Sequence, residues 1–140
     1  MRSYYDFSAF KLYANDVGLL GAMSELSPSV IMDGNSLFTN FKGALTEQYV
    51  LQELEALGLQ PYYHSKDNSS LELDFIIQKD EVYPIEVKAE ENLRSKSLRA
   101  VYEENNALKP VRFSMSGYRE QNWMKNVPLY LAGEWCRASE

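Results

Sequence analysis

One cysteine and one histidine occur in 140 residues. Cys136 has no partner for an internal disulfide, which fits a reducing, cytoplasmic location. His64, within Pro61-Tyr-Tyr-His-Ser65, lies far from Cys136 and from any zinc spacing, and reads as a strand residue or a secondary site contact rather than a metal ligand. No run of about 18 apolar residues occurs, so no membrane span is expected. Met1-Arg-Ser-Tyr-Tyr-Asp6 has no apolar core behind its arginine and is not a signal peptide. No Gly-x-x-x-x-Gly-Lys-Ser/Thr occurs, so the chain carries no phosphate loop for ATP. Positive charge is also short. Against 20 Asp and Glu stand 14 Lys and Arg, a net charge of −6. That argues against broad nucleic-acid binding without forbidding a local patch.

What is present suffices for one core. Hydrophobic residues make up 45% of the chain, which does not favour disorder, and the length suits a single domain over residues 1–140. Residues 1–40 form an entry segment and 41–133 the core. There is no internal repeat or low-complexity tract. Residues 8–24 read as helical or mixed, and Glu25–Asn40 as a looped connection containing Pro28 and Gly34. A helix runs from Gly43 to Leu57 and stops at Gly58. Gln60–Ser65 reads as a strand, and Lys66-Asp-Asn-Ser-Ser70 as a turn. After a hairpin, Leu93–Leu108 reads as an amphipathic helix with Leu98, Val101, Tyr102 and Asn105 on one face. Val111–Ser116 and Pro128–Ala132 are the remaining strands. The order is helix, three strands, helix, strand, strand, an α/β architecture with a mixed sheet flanked by helices.

The hairpin carries the most chemistry. In Leu71-Glu-Leu-Asp-Phe-Ile-Ile77 the residues Leu71, Leu73, Phe75 and Ile77 share one side; Glu72, Asp74 and Ile76 share the other. In Val82-Tyr-Pro-Ile-Glu-Val-Lys88, Tyr83, Ile85 and Val87 oppose Pro84, Glu86 and Lys88. A short polar loop, Lys79-Asp80-Glu81, joins them. If Gln78 pairs with Val82, Phe75 faces Ile85 and Asp74 faces Glu86. Like charges directly across a ladder cost roughly 0.2–1 kcal/mol. A divalent cation turns that repulsion into coordination: magnesium is held by one or two carboxylates, waters and phosphate oxygens. Lys88, one pleat on, is placed to orient water or stabilise phosphate charge. The same alternation also describes an ordinary solvated face, and a one-residue slip would undo it.

A third carboxylate bears on that choice. Val50, Leu51, Leu54 and Leu57 form the apolar stripe of the first long helix, and Glu47 precedes them by three, four, seven and ten residues. It therefore falls on the stripe, whereas Glu53 and Glu55 point elsewhere as surface charges. A carboxylate on a core face is costly unless paired or metal-bound; near the helix start it can also stay wet. Beside the acidic residues lie cations, Lys88, Arg94, Lys96 and Arg99, followed by Lys109 and Arg112. They read as a phosphate-holding patch or as a solvated helix face.

Glu47 on a helix, Asp74 in one strand and Glu86-Val-Lys88 in the next resemble the pattern of the PD-(D/E)XK nuclease superfamily. More closely, the chain resembles the C-terminal nuclease-like domain of unknown function found behind the AAA-type module of many bacterial and archaeal ATPases. The residues that carry this are Lys11-Leu-Tyr-Ala-Asn-Asp-Val-Gly-Leu-Leu20, Gly43-Ala-Leu-Thr-Glu-Gln-Tyr-Val50, Glu72-Leu-Asp-Phe-Ile76, Pro84-Ile-Glu-Val-Lys88 and Lys96-Ser-Leu-Arg99. Leu73 stands where proline often precedes the aspartate. The resemblance implies a restriction-endonuclease-like core of order α-β-β-β-α-β. It implies magnesium or manganese on Glu47, Asp74 and Glu86, Lys88 at the reacting water, and DNA held by Arg94, Lys96 and Arg99. It also implies a piece of a longer protein whose AAA-type ATPase module lies outside this chain. Many superfamily members bind without cutting. The implied alternative is therefore a non-catalytic DNA- or protein-binding domain that regulates the ATPase.

Overall fold

A computed structural model describes residues 10–33, 36–65, 71–89 and 94–138. The chain enters as an extended strap, residues 10–16, that alternates in and out. Lys11 and Tyr13 turn inward, while Phe10 and Leu12 are 70% and 87% exposed. Asp16 then caps a short helix, α1 (Val17–Met23), by accepting the Leu19 N–H at 2.7 Å, which satisfies one of the orphan donors of the first turn.

The segment read from sequence as a looped connection is instead largely helical. It holds α2 (Pro28–Asp33) and the first residues of α3 (Ser36–Ala56). Pro28 is the first residue of α2, where its missing N–H costs nothing, so the proline opens a helix rather than a loop. Gly34 and the expected turn at 66–70 lie outside the described residues.

Helix α3 ends as its sequence predicts. Gly58 adopts φ 71°, Leu59 N–H reaches the Leu54 carbonyl at 3.0 Å, and Gly58 N–H reaches that of Glu55 at 2.9 Å. These two bonds form a Schellman motif, which needs a residue at ease with positive φ.

Among the described residues six strands follow: β1 (Tyr62–Ser65), β2 (Glu72–Gln78), β3 (Val82–Lys88), β4 (Val111–Ser114), β5 (Arg119–Glu120) and β6 (Lys125–Pro128). They form one mixed sheet of order β1-β2-β3-β4-β6-β5. The antiparallel β2–β3 register holds as expected, with Gln78 on Val82 and Phe75 on Ile85. Strands β3, β4 and β6 run parallel. Helix α4 (Lys96–Glu104) links β3 to β4, giving the α-β-β-β-α-β order over α3 to β4.

The final strand is shifted from its expected place. Pro128 ends β6 because it has no N–H for a ladder. A 3-10 turn (Leu129–Leu131) and helix α5 (Ala132–Arg137) occupy the rest. The true strand was hidden because Asn126, a polar residue, is buried at 1% exposure beside the core residue Val127. Helix α4 is also shorter than Leu93–Leu108, and Asn105 is an exposed cap rather than part of the buried face.

The two faces of the sheet differ in character. Phe75, Ile77, Tyr83, Ile85, Val111, Phe113 and Val127 pack against Val50, Leu51 and Leu54 of α3 and against Ala132 and Cys136 of α5. Each such side chain contributes roughly 1.5–3 kcal/mol through burial. Trp135 lies edge-on to Tyr83 at 5.4 Å and to Phe113 at 5.6 Å. Glu53, expected on the surface, instead faces α5. A Cβ on Gly133 would stand 2.1 Å from its Oε2, so any larger residue there would have to displace the Glu53 side chain. The opposite face is polar. Glu86, Arg112 and Asn126 stand side by side across β3, β4 and β6, and all three are buried.

Candidate active site

The ladder pairing of β2 and β3 runs to Phe75–Ile85. One step further, the same register sets Asp74 against Glu86. Here the Asp74 carboxylate reaches across, and its Oδ2 accepts the Val87 N–H at 2.7 Å. Asp74 therefore sits where the two strands part. Burial pushes its carboxyl up to about 6; the charges of Glu47 and Glu86 act in the same direction, opposed by the Val87 bond and by Lys11. The first cause is desolvation of the charged form.

Glu86 is 6% exposed. Its Oε1 pairs with Lys88 Nζ at 3.1 Å. Its Oε2 is buried and has no hydrogen-bond partner. A buried carboxylate oxygen without a donor costs about 1–3 kcal/mol or more, so its retention calls for an explanation.

Glu47 reaches the same corner from α3. Its Oε1 accepts from Lys11 Nζ at 2.8 Å and from the Tyr13 hydroxyl. Lys11 Nζ also lies 3.0 Å from Glu72 Oε1 and 3.8 Å from Asp74 Oδ1. One ammonium thus ties together three carboxylates from α3 and β2. Burial alone would lower the Lys11 pKa, but the hydrogen bonds to Glu47 and Glu72 and the charges of Glu47 and Asp74 outweigh it and raise it. Burial and the Glu47 bond likewise keep the Tyr13 phenol protonated.

The strap that carries Lys11 and Tyr13 is fastened to α3 through amide groups. Gln48, 1% exposed, accepts the Ala14 N–H at 2.9 Å and donates to the Ala14 carbonyl at 3.0 Å. Gln52 accepts the Val17 N–H at 3.1 Å. An open cleft of about 830 Å³ beside the strap is lined by Lys11, Tyr13, Pro61, Tyr62, Tyr63 and Phe75, among others.

Four sequence-selected residues, Glu47, Asp74, Glu86 and Lys88, gather in this corner. Among the described residues no group of three His, Cys, Asp or Glu side chains is arranged to enclose a cation; Lys11 takes up the carboxylate oxygens instead. Lys11, Tyr13 and Glu72 were not singled out from sequence as site residues. No sequence signal marks Lys11 and Tyr13, because their apolar neighbours Phe10 and Leu12 are the exposed ones.

The cationic patch is dispersed. Arg94 and Lys96 are exposed at the start of α4. Arg99 pairs with Glu103 at 2.6 Å and lies 5.1 Å from the Trp123 ring centre. Arg112 is no surface cation: it is 1% exposed, with Nε on Asn126 Oδ1 at 2.8 Å and Nη1 on Ser95 Oγ at 3.0 Å. It stands on the inward side of β4, a side that composition does not reveal.

Fold and corner together define a mixed α/β domain with a partly buried carboxylate cluster at the point where a β-hairpin opens. Residues 42–131 match the family described as Domain of unknown function (DUF4143), and the chain belongs to it. The match takes in Glu47, Asp74, Glu86 and Lys88, and leaves the Lys11 strap outside. No curated protein and no solved structure matches the chain. No helix among the described residues is long and apolar enough to cross a membrane.

Proposed function

We propose that this corner is a metal-dependent phosphodiesterase site of the PD-(D/E)XK type acting on DNA, with Asp74 and Glu86 as the ligands of one magnesium or manganese ion. The observation that carries the reading is the buried, unpartnered Glu86 Oε2 beside a carboxyl whose pKa is pushed up to about 6. The unpartnered Glu86 Oε2 and the neighbouring Asp74 carboxylate are hard oxygen donors that suit a divalent cation. Such an ion lowers the pKa of a bound water and polarises a phosphoryl oxygen. Lys88, on Glu86 Oε1 and 38% exposed, is placed between the buried carboxylate and solvent. There its ammonium can orient the water or meet charge on the phosphate. Glu47, bound by Lys11 and Tyr13, supports the Asp74 side of the corner. Arg94, Lys96 and Arg99 supply cations for the DNA backbone, and an AAA-type ATPase module is the partner that the resemblance implies.

A second reading is a DNA- or protein-binding domain that regulates the ATPase without hydrolysis. Its support is that Lys11 already balances Glu47, Glu72 and Asp74. Cleavage of single- and double-stranded DNA in magnesium or manganese, with the ATPase module supplied, separates the two. Asp74→Ala, Glu86→Ala and Lys88→Ala should each abolish cleavage, and double variants should be little worse than singles. Lys88→Ala should keep metal binding, and Glu55→Ala, on the exposed helix face, should keep activity. A wild-type protein that cleaves neither DNA leaves the binding reading.

A further inference from the structure

A second cleft, of about 310 Å³, opens where α4 ends and β4 and β6 begin. Tyr83, near the start of β3, lines it, about 10 Å along the strand from Glu86 at the usual rise per residue. The segments around it are pinned by backbone bonds. Lys109 N–H donates to the Val82 carbonyl at 3.0 Å, Lys125 N–H to that of Pro110 at 3.1 Å, and Gln121 N–H to that of Met124 at 2.9 Å.

The last of these bonds closes the β5–β6 hairpin over the tip Asn122-Trp123. Such tips favour glycine, asparagine and aspartate, so a half-buried tryptophan there calls for a reason. Its ring centre lies 6.0 Å from that of Tyr102 on α4 and 5.1 Å from the Arg99 guanidinium. Both rings line the cleft. Tyr83, Val111 and Met124 give it a buried apolar floor. Asn106, Asn122 and Lys109 line it from exposed positions. Among the described residues Lys109 forms no ion pair.

We propose that this cleft binds one nucleoside phosphate unit, with the base against the Trp123 and Tyr102 rings and the phosphate at Lys109. A closed apolar floor with a few polar groups around it is the usual make-up of a ligand pocket, and about 300 Å³ is the small end of the range. That leaves room for one base and its sugar. Aromatic rings offer a planar base a face to stack on. The two asparagine amides each carry donors and an acceptor, as a base edge does. Lysine meets a phosphate as a point charge. The unit can belong to a free nucleotide or to a single DNA strand. No residue of the carboxylate corner takes part, so the proposal stands apart from the metal reading.

Calorimetric titration of the full chain with AMP, adenosine and a short single-stranded oligo(dA), with a chelator present, tests this. AMP or the oligonucleotide should bind with a Kd below about 1 mM, and adenosine more weakly. Trp123→Ala should weaken binding at least about tenfold, or 1.4 kcal/mol. Trp123→Phe keeps an aromatic face and should bind within about threefold of the wild type, which guards against an alanine variant that fails to fold. Lys109→Met should bring AMP down to the affinity of adenosine and leave adenosine unchanged. Tighter binding of the oligonucleotide than of AMP assigns the unit to a strand; the reverse assigns it to a free nucleotide. Binding of neither at millimolar concentration overturns the proposal. So does binding that a folded Trp123→Ala or Lys109→Met leaves unchanged.

Discussion

Asn126 and Glu86 stand two strands apart on the same face of the sheet, with Arg112 between them. Both are buried. Asn126 meets its whole hydrogen-bonding capacity. Its Oδ1 accepts from Arg112 Nε and Ser114 Oγ, each at 2.8 Å, and its Nδ2 donates to the Ser116 and Gly117 carbonyls at 3.3 and 2.8 Å. Glu86 uses one oxygen on Lys88 and leaves the other without a donor. The difference separates two uses of buried polarity. A group that fixes architecture is saturated by its own protein. On the metal reading proposed above, a group kept for an external cation is left short, and the fold bears the cost.

Three perturbations bear on that contrast. The largest effect should come from Asn126→Ala. It removes four bonds and leaves the buried Arg112 guanidinium without its Asn126 contact, and should destabilise by about 3–4 kcal/mol in urea unfolding. A loss below about 1 kcal/mol would break the comparison.

Next is pH. The Asp74 carboxyl is raised from 3.8 to about 6, so between those values the folded state binds more protons than the unfolded one. Stability of metal-free protein should be greatest below about pH 4 on this account, and should fall by on the order of 2 kcal/mol by about pH 7. Asp74→Asn should flatten the profile, as read from melting temperature against pH.

The smallest effect should come from Glu86→Gln. It removes a charge that the protein only half satisfies, and should change metal-free stability by less than about 1 kcal/mol. It should also abolish any rise in melting temperature with magnesium. Equal losses at 86 and 126 would mean that Glu86 is architectural after all.

The hairpin was legible because its alternation and short polar loop suit the Gln78–Val82 register, which the structure adopts; a one-residue slip, open in the sequence, would have parted Asp74 and Glu86. The end of α3 was legible because Gly58 is suited to positive φ. The strap was not legible as part of the site. Lys11 meets partners 36 and 61 or more positions away, Glu47 and Glu72 among them, and no local period reports such pairing. Arg112 and Asn126 were missed for the opposite reason. They alternate with the core residues Val111, Phe113 and Val127 on strands buried on both faces, so a polar residue that sequence alternation assigns to solvent is in fact covered. Glu53 was misassigned because helix periodicity gives the stripe that meets the sheet and says nothing of a last helix packed on its flank.

Cys136 lies in that last helix, 4% exposed, and burial pushes its thiol up to about 11. At neutral pH it is therefore both sheltered and protonated, and only the thiolate is nucleophilic. The lone sulfur is silent while α5 stays docked and becomes alkylatable when α5 detaches. Its labelling rate thus serves as a clock for the opening of the chain's C-terminal end, timed without any added probe.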